Sequence, residues 1–416
     1  MENILKISAL SLSNEIPAQT IQLPASKSIS NRALILNALC AKPGEIKNLA
    51  KCDDTDVLVA ALSSCGNLFD IGAAGTAMRF LTAYKCMQAG NWTITGSQRM
   101  KERPIEVLVQ ALRSLGAEIS YVENEGFPPL NIVGKQLEGG EIEIQGNVSS
   151  QYISALIMIA PVMKNGLKIK LLGEVISKPY ILMTLQMLQE FGVLSEWNAS
   201  NEIIIPHQEY KAVRYTVESD WSASSYWYEI AALCEKNVTV HLPMLYEKSM
   251  QGDSKVREIF QPLGVQTLFT EKGVSLSKVG KAVEHYEYDF VNQPDLAQTV
   301  VVTCCALGTT FKFTGLQSLK IKETDRLEAL KNECRKLGFI LREGELGTLC
   351  WDGERVEKEP LPRIATYHDH RMAMAFAPAC LRLGPLSIEN PSVVSKSYPD
   401  YWLDVASCFL FGIENE

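Results

Sequence analysis

Ser26-Lys27-Ser28-Ile29-Ser30-Asn31-Arg32-Ala33-Leu34-Ile35-Leu36 opens on hydroxyl and cationic side chains and runs directly into apolar residues, and that order decides the fold. A Ser at the head of an apolar run offers an N-cap oxygen, so the segment reads as the start of a buried helix. The same design recurs near Gly72 (AAGTAMRFLTAY), Ser149 (SQYISALIMIA), Asp220 (WSASSYWYEIAAL), Pro294 (DLAQTVVVTCCAL) and His368 (DHRMAMAFAPACL). From the second copy onward the starts lie about 70–75 residues apart, which suggests duplicated βα units. Alternating or β-branched stretches at 92–95, 167–171 and 238–242 read as the intervening strands. Second helices recur at 105–115, 179–191 and 327–337, followed by Gly116, Gly192 and Gly338, which suit the turn beyond a helix end. A chain of 416 residues has room for two or three domains. Periodicity alone allows either one long array or two multi-unit lobes.

Composition narrows the function. A net charge of −8 and a pI near 5.4 argue against a nucleic-acid binder that uses its whole surface. Any basic cluster is therefore local, which favours a small anionic ligand over a polymer. The eleven cysteines include no CxxC pair, and Cys304 and Cys305 are direct neighbours; they read as reduced thiols of a cytosolic protein. Met1-Glu2-Asn3 leads almost at once into apolar alternation with no basic leader, and no apolar run approaches the roughly 18–20 residues of a membrane span. A cytoplasmic protein with neither membrane nor nucleic-acid partner is the expectation.

Five segments gather Lys or Arg beside hydroxyls, glycine or carboxylates, several of them just before a helix. Free N–H groups and the dipole at a helix start then make anion sites. In the first, Lys27 and Arg32 join Ser28; the alternative is a capped helix with solvated cations. Gly72-Ala73-Ala74-Gly75-Thr76 lets backbone approach a ligand closely, or is simply a tight turn, and matches no nucleotide-loop pattern. Arg99-Met100-Lys101-Glu102-Arg103-Pro104 has three cations in five residues; with Pro104 in the first helical position, their donors would face outward together. Lys322 and Arg326, in Lys320-Ile321-Lys322-Glu323-Thr324-Asp325-Arg326, share a face if the helix has begun, either as a salt-bridge lattice or as a frame for a proton-shuttling Glu323. His368-Asp369-His370-Arg371 is a weak metal signal in a chain of five histidines. Asp295 opens the helix read at 296–307, as an N-cap or as a carboxylate kept ionised among cations.

Taken in order, SKSISNRAL, AGTAMR, RMKERPI, SSQYISAL, SKPY, KETDRL, HDHRMAM and SKSYPDYW resemble the 5-enolpyruvylshikimate-3-phosphate synthase family, also called 3-phosphoshikimate 1-carboxyvinyltransferase. The resemblance implies an α/β fold of two lobes, each of three βαβαββ units around parallel helices, with the active site in the cleft between them. One lobe would be 20–218; the other would join 1–19 to 219–416. It also implies transfer of the enolpyruvyl group of phosphoenolpyruvate to the 5-hydroxyl of shikimate 3-phosphate, by a monomer that uses neither metal nor cofactor. Carried over by motif, Lys27, Ser28, Arg32, Ser149, Ser150, Gln151, Ser177, Tyr180, Asp295, Ser318 and Lys322 would hold shikimate 3-phosphate. Lys27, Gly75, Arg103, Gln151, Arg326, Arg371 and Lys396 would contact phosphoenolpyruvate. Asp295 would take the hydroxyl proton, and Glu323, with Lys27 nearby, would protonate the methylene carbon.

The charge balance fits that chemistry. Two phosphates at about −1.5 to −2 each and two carboxylates total roughly −5 to −6, against seven of these cations and the carboxylates of Asp295 and Glu323. This chain departs from the family at Ala73 and His368, where Asn is frequent, at Phe80, where Pro or Leu is common, and at Ser318, where many members have Asn. A UDP-N-acetylglucosamine enolpyruvyl transferase would carry a Cys before RMKERP, and residues 91–103 contain none. A non-catalytic anion-binding homologue would be expected to have lost Asp295, Glu323 or a cation.

Overall fold

In a computed structural model of the chain, residues 4–10, 18–234, 238–408 and 410–415 are described. Met1, Glu2 and Asn3, on which the reading of the N-terminus rested, lie outside the described residues. The chain divides into two compact units, Ala25–Val217 and a discontinuous one made of Met1–Pro24 with Glu218–Glu416.

The unit Ala25–Val217 carries α1 (Lys27–Leu39), α2 (Asp53–Ser63), α3 (Gly75–Met87), α4 (Gln98–Lys101), α5 (Glu106–Ser114), α6 (Ser150–Ile159) and α7 (Lys178–Glu190). Its two four-stranded sheets share one order. Leu68–Asp70 runs parallel to Gly90–Thr95, followed by antiparallel Leu130–Gly134 and Glu118–Tyr121. Likewise Gly140–Gln145 runs parallel to Leu167–Leu172, followed by antiparallel Glu202–Ile205 and Glu196–Trp197. Parallel neighbours need a crossover, and α3 and α6 supply it. A third, two-stranded sheet pairs Glu45–Lys47 with Arg214–Thr216, drawing together the two ends of the unit. Helices α1, α3 and α6 pack against one another.

The second unit carries α8 (Trp221–Leu233), α9 (Val256–Ile259), α10 (Ala297–Leu307), α11 (Arg326–Lys336), α12 (His370–Phe376), α13 (Cys380–Leu383) and α14 (Tyr401–Ser407). Three sheets repeat the order of one parallel and two antiparallel pairs. They are Gln19–Thr20, Thr239–Pro243, Gly273–Lys278 and Val265–Thr270; His285–Asp289, Thr310–Thr314, Thr348–Trp351 and Arg342–Gly344; and Arg363–Ile364, Leu386–Glu389, Ile4–Ala9 and Phe411–Asn415. The last takes its third strand from the chain's beginning, which is why this unit is discontinuous. Crossover helices α8, α10 and α12 pack together. α8 buries every residue except Ser222, so its sequence shows no amphipathic stripe.

The six polar-start segments all lead into helices, and Gly116, Gly192 and Gly338 follow α5, α7 and α11 at φ of +96°, +80° and +96°. Three local expectations fail. Pro104 is not the first residue of α5, which starts at Glu106; its carbonyl instead accepts from Arg79 Nη2 and the Tyr152 hydroxyl. α10 begins at Ala297 after a 3-10 turn over Pro294–Leu296, so Asp295 does not cap it. α11 begins at Arg326 with Asp325 as its cap, so Lys322 stands outside the helix. Among the described residues no helix is long and apolar enough to cross a membrane.

Candidate active site

In the unit Ala25–Val217 the polar side chains gather at helix starts. Ser26 caps α1, which places Lys27 and Ser28 in its first turn. Ser149 caps α6 by accepting from the Gln151 N–H at 3.3 Å. Gln151 Nε2 reaches Thr76 Oγ1 in the first turn of α3 at 3.3 Å. Ser177 precedes α7 at φ +51°, a conformation that costs a Ser on the order of 1 kcal/mol and is kept where the surroundings demand it. Lys27 Nζ lies 3.0 Å from Asp54 Oδ2 at the start of α2.

Arg103 is the buried member of its cationic run, and its guanidinium lies against Gly75. The other two cations of the run turn elsewhere. Arg99 pairs with Glu102 and Lys101 with Glu123, both near the surface. Arg79 donates to the carbonyls of Gly75 at 3.2 Å and Pro104 at 3.1 Å, tying the Arg103 segment to α3. Arg32 is 2% exposed and spends its donors on neutral oxygens: Thr184 Oγ1, the Ser28 carbonyl, Ser154 Oγ and the Tyr180 carbonyl. It therefore links the starts of α1 and α7 to α6. Burial pushes it down to about 10, so it remains a cation at neutral pH.

The second unit holds a tighter ion cluster. Asp295 Oδ1 lies 3.0 Å from Arg326 Nη1 and 3.7 Å from Lys322 Nζ, and its Oδ2 lies 3.0 Å from Arg371 Nη2. Glu323 bridges Arg326 Nη2 at 3.0 Å and Lys396 Nζ at 2.9 Å. Lys322 and Arg326 thus meet through Asp295, not through helical spacing. Arg326 also donates from Nε to Asp369 Oδ2 at 2.6 Å, while Asp369 Oδ1 accepts the Arg371 N–H that starts α12. Burial alone would raise the Asp295 carboxyl, but Arg371, Lys322 and Arg326 outweigh it and hold it well below the usual carboxylate range. Burial would likewise strip Arg326 of its proton, and Asp369, Glu323 and Asp295 raise it instead. Ser318 is half-buried on the turn Gln317–Ile321 that leads to Lys322.

Tyr367 and His368 precede α12 at φ +52° and +56°. Asn and His tolerate that left-handed region better than most residues, which accounts physically for a His where Asn is frequent. His370 is buried, and Asp369 is committed to Arg326. Among the described residues no group of three or more His, Cys, Asp or Glu side chains is placed to hold a metal ion.

Sequence reasoning passed over Asp54, Thr76, Arg79, Asp253 and Asp369. Arg79 and Thr76 stand inside AGTAMR and Asp369 inside HDHRMAM, so the motifs contained the signal. Asp54 is one of three acidic residues in the first turn of α2, which read as ordinary helix-dipole partners. With Arg79, Asp54 and Asp369 included, four cations meet one carboxylate in the first unit, and four meet three in the second. The first unit's cluster is therefore net +3 and the second's net +1, each suited to an anion.

Known proteins match most of this chain. A family model for EPSP synthase (3-phosphoshikimate 1-carboxyvinyltransferase) matches residues 16–68 and 63–405. A 3-phosphoshikimate 1-carboxyvinyltransferase of Bacteroides fragilis is 56% identical over 405 residues, spanning 97% of this chain and 98% of the relative. One from Vibrio campbellii is 36% identical, spanning 93% of this chain and 96% of the relative. A solved EPSP synthase from Acinetobacter baumannii superposes with a TM-score of 0.78 at 19% identity, over 99% of this chain and all of that one, and so shares its fold.

Proposed function

Because the chain belongs to the EPSP synthase (3-phosphoshikimate 1-carboxyvinyltransferase) family, we propose that its two charge clusters bind and join the substrates of that reaction. The enzyme transfers the enolpyruvyl group of phosphoenolpyruvate to the 5-hydroxyl of shikimate 3-phosphate and releases phosphate, in the shikimate pathway of aromatic amino acid biosynthesis. Lys27, Ser28, Arg32, Ser149, Ser150, Gln151, Ser177, Tyr180, Ser318 and Lys322 hold shikimate 3-phosphate, and Lys27, Gly75, Arg103, Gln151, Arg326, Arg371 and Lys396 hold phosphoenolpyruvate. Hydroxyls and N–H groups at the starts of α1, α6 and α7 suit a phosphate, and the guanidinium forks suit phosphate and carboxylate.

One observation carries the chemistry: Asp295 sits between Arg326 and Arg371, with Lys322 beside it. Held so low by cations, it is a poor base until anionic substrates offset their field. Substrate binding thus restores its basicity where the hydroxyl proton must be taken. The 5-oxygen then bonds to C2 of phosphoenolpyruvate while Glu323, with Lys27, delivers a proton to the methylene carbon. Loss of phosphate, with the methyl proton returned to Glu323, then forms the enol ether. The fixed cations stabilise the charge of the intermediate without reorganising.

Among the described residues no disulfide joins two cysteines and of these only Cys65 is exposed, which supports a cytoplasmic setting. The test is Asp295→Asn: phosphate release should fall about 100-fold or more, while shikimate 3-phosphate still binds. Wild-type turnover would remove Asp295 from the role of base.

A further inference from the structure

Phe80 is fully buried on α3. Its ring lies 5.4 Å from the Arg32 Cζ, within the range in which a guanidinium is attracted to an aromatic face. Arg32 is an unusual cation. Among the described residues its four hydrogen-bonded acceptors are all neutral oxygens, reached at 2.7, 2.9, 3.1 and 3.4 Å. These bonds use four of its five N–H groups. Thr184 Oγ1 in turn lies 2.9 Å from Ser154 Oγ and 2.8 Å from the Tyr180 carbonyl, one of which accepts its single hydroxyl proton, closing a small network between α6 and α7. A buried charge bonded only to neutral oxygens needs another source of stabilisation, and the π face of Phe80 supplies one from the fourth helix, α3.

We propose that Phe80 is a positioning residue for shikimate 3-phosphate: its ring seats Arg32, and Arg32 fixes the starts of α1 and α7 against α6. The inference rests on the reading that Lys27, Ser28, Ser149, Ser150, Ser177 and Tyr180 bind that substrate. A Leu or Met at this position offers no π face. An aliphatic residue at 80 loosens the anchor, and the ligand that depends on three correctly placed helix starts loses affinity. Phosphoenolpyruvate shares only Lys27 and Gln151 with these helix starts and takes its other contacts from Gly75, Arg103 and the cluster of the second unit, so it depends on the anchor less.

Phe80→Leu keeps an apolar side chain and removes the ring, Phe80→Met does the same with a more adaptable chain, and Phe80→Tyr keeps the ring. In the full-length enzyme we expect Phe80→Leu and Phe80→Met to raise the dissociation constant for shikimate 3-phosphate about 3- to 30-fold. The KM for phosphoenolpyruvate and kcat should stay within about twofold, and Phe80→Tyr should bind like wild type. A merely structural role would lower the thermal midpoint and weaken both substrates together, and that outcome overturns the proposal. So does unchanged shikimate 3-phosphate binding in both aliphatic variants. Should Phe80→Leu fail to fold, Phe80→Met alone decides. Lys27→Ala separates the two levels of the argument. If it leaves shikimate 3-phosphate binding intact, the reading of the site fails; if it weakens binding while Phe80→Leu does not, only the role of Phe80 fails.

Discussion

The Arg103 guanidinium lies so close to the α-carbon of Gly75 that a Cβ there would meet Nη1 at 2.6 Å and Nη2 at 2.9 Å. Glycine is required at 75 for that approach and not for backbone freedom, since its φ is ordinary. Gly75→Ala should therefore fold normally and push Arg103 aside. A displaced charge-assisted contact is worth about 1.5–3 kcal/mol, so we expect the KM for phosphoenolpyruvate to rise roughly 10- to 100-fold with shikimate 3-phosphate binding little changed. Steady-state kinetics with each substrate varied checks this; an unchanged KM would detach Arg103 from that ligand.

Asp253 gives a pH signature. It is buried on the turn Gly252–Lys255, accepts from the Ser222 hydroxyl through Oδ2, and its Oδ1 has no hydrogen-bond partner among the described residues. Burial and then the nearby Asp295 push it up to about 7, against the opposing pull of Ser222 and Arg371. A carboxyl raised in the fold binds its proton more tightly than the unfolded chain does. Its contribution is complete below about pH 3.9 and is lost as pH rises through 7. Asp253→Asn should therefore gain thermal stability relative to wild type between pH 5 and 8, on the order of 2 kcal/mol or a few degrees. An equal difference at both pH values would contradict this.

Glu229 makes a related case without any tie to substrate. It is fully buried on α8, and burial raises its carboxyl well above the normal range against the weaker opposing pull of the Thr303 hydroxyl. By the same sign, the fold must hold it protonated, at a cost that grows with pH above the unfolded value. Glu229→Met keeps the length and removes the titration. We expect it to stabilise the protein at pH 8 by about 1–3 kcal/mol and by less at pH 5, with kcat unchanged. Equal or lower stability at pH 8 in thermal unfolding would rule this out.

Much of the fold was legible because the crossover helices bury nearly all their surface and several of them start on a capping residue. Ser26, Ser149 and Asp220 announce α1, α6 and α8, and the glycines after α5, α7 and α11 mark their ends. What the sequence hid was the set of contacts that cross between segments. Nothing local tells that Pro104 serves Arg79 and Tyr152 as an acceptor instead of starting a helix, or that Lys322 reaches Asp295 from outside α11. Asp54 stands in the first turn of α2 and Asp369 caps α12, yet each also holds a site cation. Such double duty is invisible until segments distant in sequence are brought side by side. The short sheet of Glu45–Lys47 and Arg214–Thr216 was similarly out of reach, since its strands lie at opposite ends of a unit.

The assignment of substrates is tested by phosphate release from phosphoenolpyruvate with the purified full chain, offered shikimate 3-phosphate or UDP-N-acetylglucosamine as acceptor. Rapid release with shikimate 3-phosphate, abolished in Asp295→Asn and absent with the nucleotide sugar, is the expected result. Release that ignores shikimate 3-phosphate, or that proceeds with UDP-N-acetylglucosamine instead, would contradict it.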